Sequence, residues 1–373
     1  MSMFSSTNQR TAPTLVSLLA LLLTGVGCEV PRADDSAQQA VMHDLAYEVM
    51  LPLNGEVEDE ALALAAAVGA FCDAPNDEAL AAAQDAWRAA RVPWKRAEAF
   101  RFGPAEDLRL GSAIDFWPVR PDSVESAITA APVPVTPEHI ASLGTSAKGM
   151  PALEYLLFDP AGALEGSDEV AKRRCSFARA LGDTIGKDAT TLHQAWSPEG
   201  GAFVDQVALA GAGSKLFATG QDGVARVVNL VISILHQISE KKLGGPLGVS
   251  TGAAPDSTAI ESRFSDNSTE DLLNNLRGIE EIYLGQHGEH SGKGLSSLVR
   301  PKSAPIDDAV RNAIEDAKAK AAAIPGPLRL AIVNDAAAVQ AALDSAKALR
   351  RLFTADVASV LGVSVTLSDS DGD

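Results

Sequence analysis

The sequence predicts an all-α protein of two helical-bundle domains packed against each other, and three observations carry that prediction. Hydrophobic residues make up 46 % of the 373-residue chain but aromatics only 5 %. The interior must therefore be built from Ala, Leu and Val, which suits close-packed helices better than a sheet of β-branched and aromatic residues. Apolar residues recur at helical spacing through long segments that are nearly free of proline. Finally, the length admits two domains, and a Gly- and Ala-rich stretch at 197–220 interrupts the pattern near its middle.

At the N-terminus, Arg10 precedes an apolar run from Leu15 to Leu23 that ends in Thr24-Gly25-Val26-Gly27-Cys28. The run is short for a membrane span and leaves through small residues, as a signal peptide does. A cysteine after Gly27 is similar to a lipobox, with Gly25 where Leu is usual. Residues 1–27 are expected to be a lipoprotein signal peptide, Cys28 the lipidated residue that anchors the chain to a membrane, and 28–37 a short polar tether. The location expected is the cell envelope, facing the periplasm or the cell surface. With Cys28 acylated, Cys72 and Cys175 form an even pair and are disulfide candidates in an oxidising compartment. The formal net charge of −18 excludes nucleic acid as an expected partner, because phosphate binding needs surplus Lys and Arg.

The first bundle is expected over 38–199. Helices are read at 38–51 and 57–73, and another opens at Asn76-Asp77-Glu78, with Leu80, Trp87 and Trp94 recurring every seven residues as a core stripe. Pro93 should kink or end that helix. From Phe102 to Pro137 the chain is rich in Gly and Pro without a long periodic run, an irregular stretch of the kind that often carries function. Helices resume at 151–158 and at 167–196, the latter with Val170, Phe177, Leu181, Ile185, Leu192 and Trp196 on one face. The second bundle is expected over 200–373. It begins with a central, wholly apolar helix at 224–238; Ser268 and Asp271 form a candidate capping box for the next. Helices at 306–323 and 336–361 close the chain, the last with a seam through Val339, Leu343, Ala346, Leu349, Phe353, Val357 and Val360.

Gly149-Met150-Pro151-Ala152-Leu153-Glu154-Tyr155-Leu156-Leu157-Phe158 resembles the signature of the imelysin family, Gly-x-His-x-x-Glu followed by aromatic and aliphatic residues. In order along the chain, the Trp87–Arg101 helix, Ile114-Asp115-Phe116-Trp117-Pro118, Lys242-Leu243-Gly244-Gly245-Pro246-Leu247-Gly248, the Pro-Gly-Pro-Leu turn at 325–328 and the ending at 361–366 also fit. The resemblance spans about residue 38 to 373. It implies two helical bundles in an envelope or lipid-anchored protein, with the signature near their meeting. Some members are named as metallopeptidases and others belong to iron-uptake systems, so the resemblance implies iron-uptake components as partners and iron or another divalent or trivalent metal as cofactor.

The departure from the family lies at its His position, which is Pro151 here. A proline can neither ligate a metal nor act as a base, and it reads instead as the opening of a helix. A zinc peptidase site needs about three ligands and a base; the chain has no His-Glu-x-x-His, and nothing orders its Ser, His and Asp residues into a triad. No catalytic residue is assigned. Glu154 keeps the family's Glu position, one helical turn past Pro151. Asp115, flanked by apolar residues, needs a partner such as Arg96 or Arg101. Glu98 and Glu261 join them by matching position. Four carboxylates make a hard-oxygen site suited to ferric iron, calcium or magnesium. His287 and His290 are read as a solvated loop, His236 as a hydrogen-bonded core histidine, and Asp369–Asp373 as a frayed terminus. The expected function is a non-catalytic envelope lipoprotein that binds a metal or other small ligand in the inter-domain cleft. A metallopeptidase and a structural or interaction protein are the alternatives.

Overall fold

In the computed structural model, helix α1 (Ser36–Leu45) continues through a π-helical turn (Ala46–Met50) into α2 (Leu51–Asp73). The two helices expected at 38–51 and 57–73 are thus one helical path. Pro52 sits in the first turn of α2, and the widened turn before it absorbs the hydrogen bond that proline cannot donate. The structure describes residues 35–164 and 168–366. The expected signal peptide, Cys28, most of the tether and the acidic terminus lie outside the described residues.

Helix α3 (Asp77–Ala97) is capped by Asn76, which accepts a hydrogen bond from the Ala79 amide at 2.9 Å. It runs through Pro93 into a 3-10 turn (Glu98–Phe100) instead of ending there. The Gly- and Pro-rich segment, expected to be irregular, is a chain of short helices: α4 (Pro104–Asp107), α5 (Leu110–Ile114), α6 (Pro121–Ala130) and α7 (Pro137–Ala141). Three of them start on a proline, whose fixed φ and missing N–H suit a first helical turn. Helix α8 (Gly149–Phe158) is buried along almost its whole length. In α9 (Glu169–Trp196) the predicted face is buried except at Val170, which is 61 % exposed. The first turn of α9 lies at the surface, with Glu169 and Lys172 exposed beside it.

After the turn near residue 200 come α10 (Phe203–Ala208) and α11 (Gly220–His236), which carries a capping box from Thr219 and Asp222. A second π-helical turn (Gln237–Gly244) follows. Helix α12 (Ser268–Leu284) is not opened by the predicted capping box: no side chain caps it, the Ser268 hydroxyl donates to the Glu261 carbonyl, and Asp271 is recruited by Arg91. A two-residue hairpin, β1 (Gln286–His287) with β2 (His290–Ser291), leads to α13 (Ser296–Val299) and α14 (Ala304–Ala322). Helix α15 (Leu328–Asn334) precedes α16 (Ala336–Arg351), which passes through a third π-helical turn (Leu352–Val357) into α17 (Ala358–Leu361). The predicted seam of this last path is buried, with Val360 only partly so.

Two groups of helices form the body, α2, α3 and α9 in one and α11, α12, α14 and α16 in the other. They interlock across the turn near residue 200, because α12 lies on α3 and α1 lies on α11. Glycines permit the closest approaches. Gly182 and Gly186 of α9 meet Ala65 and Leu62 of α2, and Gly278 of α12 lies so near the Arg96 carbonyl of α3 that any Cβ would clash. This is how a chain poor in aromatics fills its interior: backbones come close where side chains are small.

Cys72, at the end of α2, is bonded to Cys175, near the start of α9, closing 103 residues. Replacing both by Ser is expected to lower stability by up to about 4–5 kcal/mol in the chain-entropy view, measured as the difference in urea midpoints. A second staple is His287, which the sequence reading placed in solvent. Its side chain is buried, with Nε2 3.1 Å from Glu56 of α2 and Nδ1 3.3 Å from Glu281 of α12. These two carboxylates outweigh burial and raise its pKa to about 9. Because the folded value is raised, the stabilisation is complete below the ordinary imidazole pKa and is lost as pH rises through about 9. His287→Gln should abolish that alkaline loss, read from melting temperature against pH.

Candidate functional site

Helix α3 places Arg91 and Lys95 one turn apart on the face that also carries Trp87 and Trp94, so both cations point into the interior. Arg91 reaches Asp115 at 2.8 Å and clasps Asp271 of α12 with Nη2 at 2.7 Å and Nε at 3.3 Å. The Lys95 ammonium, wholly buried, lies 2.6 Å from Asp115, 2.5 Å from Glu261 and 3.0 Å from Glu98. Lys242, delivered by the second π-helical turn, lies 2.8 Å from Glu98, 3.0 Å from Glu261 and 2.8 Å from Asn275. Trp94 donates its indole N–H to Asp115, and Ser262 and Asn267 donate to Asp271.

The electrostatics follow from this arrangement. Burial pushes Asp115 up, but Arg91 and Lys95 more than offset it and hold the carboxyl at about 2. Burial opposes ionisation of Glu98 too, and Lys242, Lys95 and Arg101 overcome it to hold the group well below the usual range. Asp115, Glu98, Glu261 and Asp271 thus face three buried cations, with Arg101 at the edge 3.7 Å from Glu98. The partners expected for Asp115, Arg96 and Arg101, are engaged elsewhere. Arg96 pairs with Glu281 and Arg101 with Glu98, whereas Arg91 and Lys95 reach Asp115 because they face the core.

Glu154 joins the cluster from α8. Its Oε1 accepts three hydrogen bonds: the Phe264 amide at 3.0 Å, the Ser265 amide at 2.8 Å and the Ser265 hydroxyl at 2.7 Å. Burial raises its pKa to about 7, against the lowering effect of the Ser265 bonds. The loop that donates them is strained, with Ser262 at φ +52° and Asp266 at φ +57°. Such left-handed conformations are costly for residues with side chains, and here they aim backbone and hydroxyl donors at buried acids. Gly149, which opens α8, has φ +77°; a Cβ there would stand 2.5 Å from the Ile114 carbonyl. The signature glycine therefore lets α8 lie against the strand of chain that carries Asp115. Pro151 is the third residue of α8 rather than the first, still in the turn whose N–H groups have no helical partner.

A small pocket of about 10 Å³ opens beside Glu154, lined by Asp115, Trp117, Pro151, Glu261, Ser262 and Arg263 among others. That is room for about one water-sized guest. The Trp117 indole N–H is buried there without a hydrogen-bond partner. The four predicted carboxylates are therefore brought together, while His236 and the hairpin histidines are not part of the site. His236 accepts from Arg350 at 2.8 Å, and His290 is exposed. Sequence reasoning missed Arg91, Lys95, Lys242, Asp271 and the Ser262–Ser265 donors. Two cations one turn apart on a Trp-bearing face were the available signal.

Carboxylate oxygens of Glu98, Asp115 and Glu261 lie within 4.8 Å of one another, a spacing that a metal ion could bridge. The Lys95 ammonium already sits at hydrogen-bond distance from all three. The triad does not fit a metal as it stands, since a cation would have to expel that ammonium. Lys95→Met should remove the internal counter-ion and lower stability by about 3–5 kcal/mol, measured by urea denaturation. A variant as stable as the parent would show that the cluster contributes nothing net.

Comparison with known proteins accords with this geometry. The family model described as imelysin (Peptidase M75) matches residues 55–355. The iron-regulated protein A of Synechococcus elongatus is 28 % identical over 284 residues, covering 75 % of this chain and 74 % of that protein. A crystal structure described as an iron-regulated protein A precursor from Parabacteroides distasonis superposes with a TM-score of 0.75 at 21 % identity, covering 89 % of this chain and 96 % of its own. An imelysin-like protein from Psychrobacter arcticum gives 0.73 at 18 %, covering 90 % and 98 %. With the all-helical fold and the Gly149–Glu154 signature in place, the chain belongs to the imelysin family.

Proposed function

We propose that this protein is a non-catalytic imelysin-family protein of the cell envelope, with a role in iron handling, that takes a single metal cation at Glu154. The observation that carries this reading is the state of Glu154. One carboxylate oxygen is pinned by three donors, while none of these bonds falls on Oε2, and the side chain lines the pocket. Its pKa of about 7 makes it a carboxyl that exchanges its proton near neutrality. Ionising it adds a fifth negative charge to a cluster that Arg91, Lys95, Lys242 and Arg101 otherwise balance. A cation in the pocket would offset that charge, and the unpartnered Trp117 N–H suits an oxygen ligand carried by the cation. Hard oxygen donors favour ferric iron, calcium or magnesium over softer metals.

Several facts bear on the rest of the reading. Pro151 lines the pocket at the family's His position, so a base and a nitrogen ligand are both missing from the place a peptidase would need them. The link to iron rests on the name of the Synechococcus relative. The envelope location rests on the N-terminal signal and on Cys28 as lipid anchor, with iron-uptake components as partners. Among the described residues no helix is long and apolar enough to cross a membrane.

Calorimetric titration with ferric nitrilotriacetate, calcium and magnesium tests the proposal. Binding of one cation should tighten as pH rises through about 7, the pKa of Glu154, because the metal displaces a proton. Glu154→Gln should weaken it about tenfold or more and flatten the pH dependence. Unchanged affinity in that variant overturns the assignment, and chelator-sensitive cleavage of an unfolded protein would restore the peptidase reading.

A further inference from the structure

The largest cavity among those described lies on the other side of Glu98, between α11, the second and third π-helical turns, α16 and the chain after α17, and it measures about 520 Å³. That volume is in the range of small-molecule sites. It shares no lining residue with the pocket at Glu154. One wall is fixed by Asn229 of α11, whose side-chain amide donates to the Ser364 carbonyl at 3.1 Å and accepts from the Thr366 amide at 2.8 Å. Leu230 and Ile234 form a buried apolar surface along it, with Val365 facing them from the terminal segment.

In a chain of net charge −18, three arginines converge here: Arg101, Arg226 and Arg350. The three carboxylates of the cavity are already engaged. Glu98 is held by Lys95 and Lys242, Glu106 by Arg226 at 3.1 Å, and Glu240 by Arg350 at 3.3 Å and by the Ser250 hydroxyl at 2.9 Å. Arg101 keeps its donors, because its approach to Glu98, 3.7 Å, is longer than a hydrogen bond. Arg226 is preorganised over the Phe102 ring, 5.6 Å from its centroid. Arg350 donates to Nδ1 of His236 at 2.8 Å. His236 lines the cavity beside it.

We propose that this cavity is a second binding site, for a small organic anion whose carboxylate or phosphate group meets Arg101, Arg226 and Arg350 and whose apolar body lies along Leu230, Ile234 and Val365. Arginine forks suit planar anions, and partly buried ones lose little by being desolvated further. Glu154 does not line this cavity, so Glu154→Gln separates this site from the metal reading above.

Calorimetry with 2-naphthoate and its neutral counterpart 2-naphthylmethanol tests the site on the purified protein. Naphthoate should bind one to one, about tenfold or more tighter than the alcohol. Arg101→Gln should lower naphthoate affinity about tenfold while leaving that of the alcohol unchanged. Arg226→Gln should act in the same direction, and Glu154→Gln should leave naphthoate binding intact. Absence of naphthoate binding, equal binding of anion and alcohol, or unchanged affinity in both arginine variants overturns the proposal.

Discussion

A lysine ammonium with no access to water, ringed by Glu98, Asp115 and Glu261, sets the constraint to which the surrounding structure answers. Desolvating such a charge is affordable only if every hydrogen and every lone pair around it finds a partner. The partners come from four separate stretches of chain. Helix α3 supplies Lys95, Arg91 and, through its 3-10 extension, Glu98. The segment after α5 supplies Asp115, the strained loop before α12 supplies Glu261, and the second π-helical turn supplies Lys242. Each of these local irregularities is a departure from regular structure that pays its way by placing one charge.

That network also explains why the two helix groups behave as one body. Arg91 and Asp271 bind α3 to α12 from side chain to side chain, and Asn275 of α12 donates to the Lys95 carbonyl and to Glu98. Gly278 allows the two backbones to come close enough for these bonds to form. Small residues and buried ions are thus two parts of one solution: close approach makes short ion pairs, and ion pairs hold the approach in register.

Glu154 stands apart from its neighbours in this network. Asp115 and Glu98 are driven to ionise by adjacent cations, whereas Glu154 has hydrogen-bond donors but no cation in direct contact, so desolvation governs it. Carboxyls with opposite tendencies are thereby packed within one cluster, a pattern that marks sites where a proton or a cation can be exchanged. Pro151 stands at the family's histidine position, and Lys95 fills the carboxylate triad. The family's fold and its glycine-supported helix α8 are kept.

The amino-acid sequence by itself determined the helical class, the main helices and their buried faces, because helical periodicity is local and repeated over many residues. It also pointed to Asp115, in an apolar setting, and Glu154, one turn past Pro151, which the fold places on one pocket, and to the two cysteines that pair. Tertiary structure decided what those carboxylates do. Arg91, Lys95, Lys242 and Asp271 come from distant positions, and nothing in their local sequence specifies that they meet. Likewise His287 is buried only because Glu56 and Glu281 flank it, and Asp271 leaves its expected cap because Arg91 offers a stronger partner. A charge in the interior is defined by its counter-charge, and the counter-charge is a property of the packed chain.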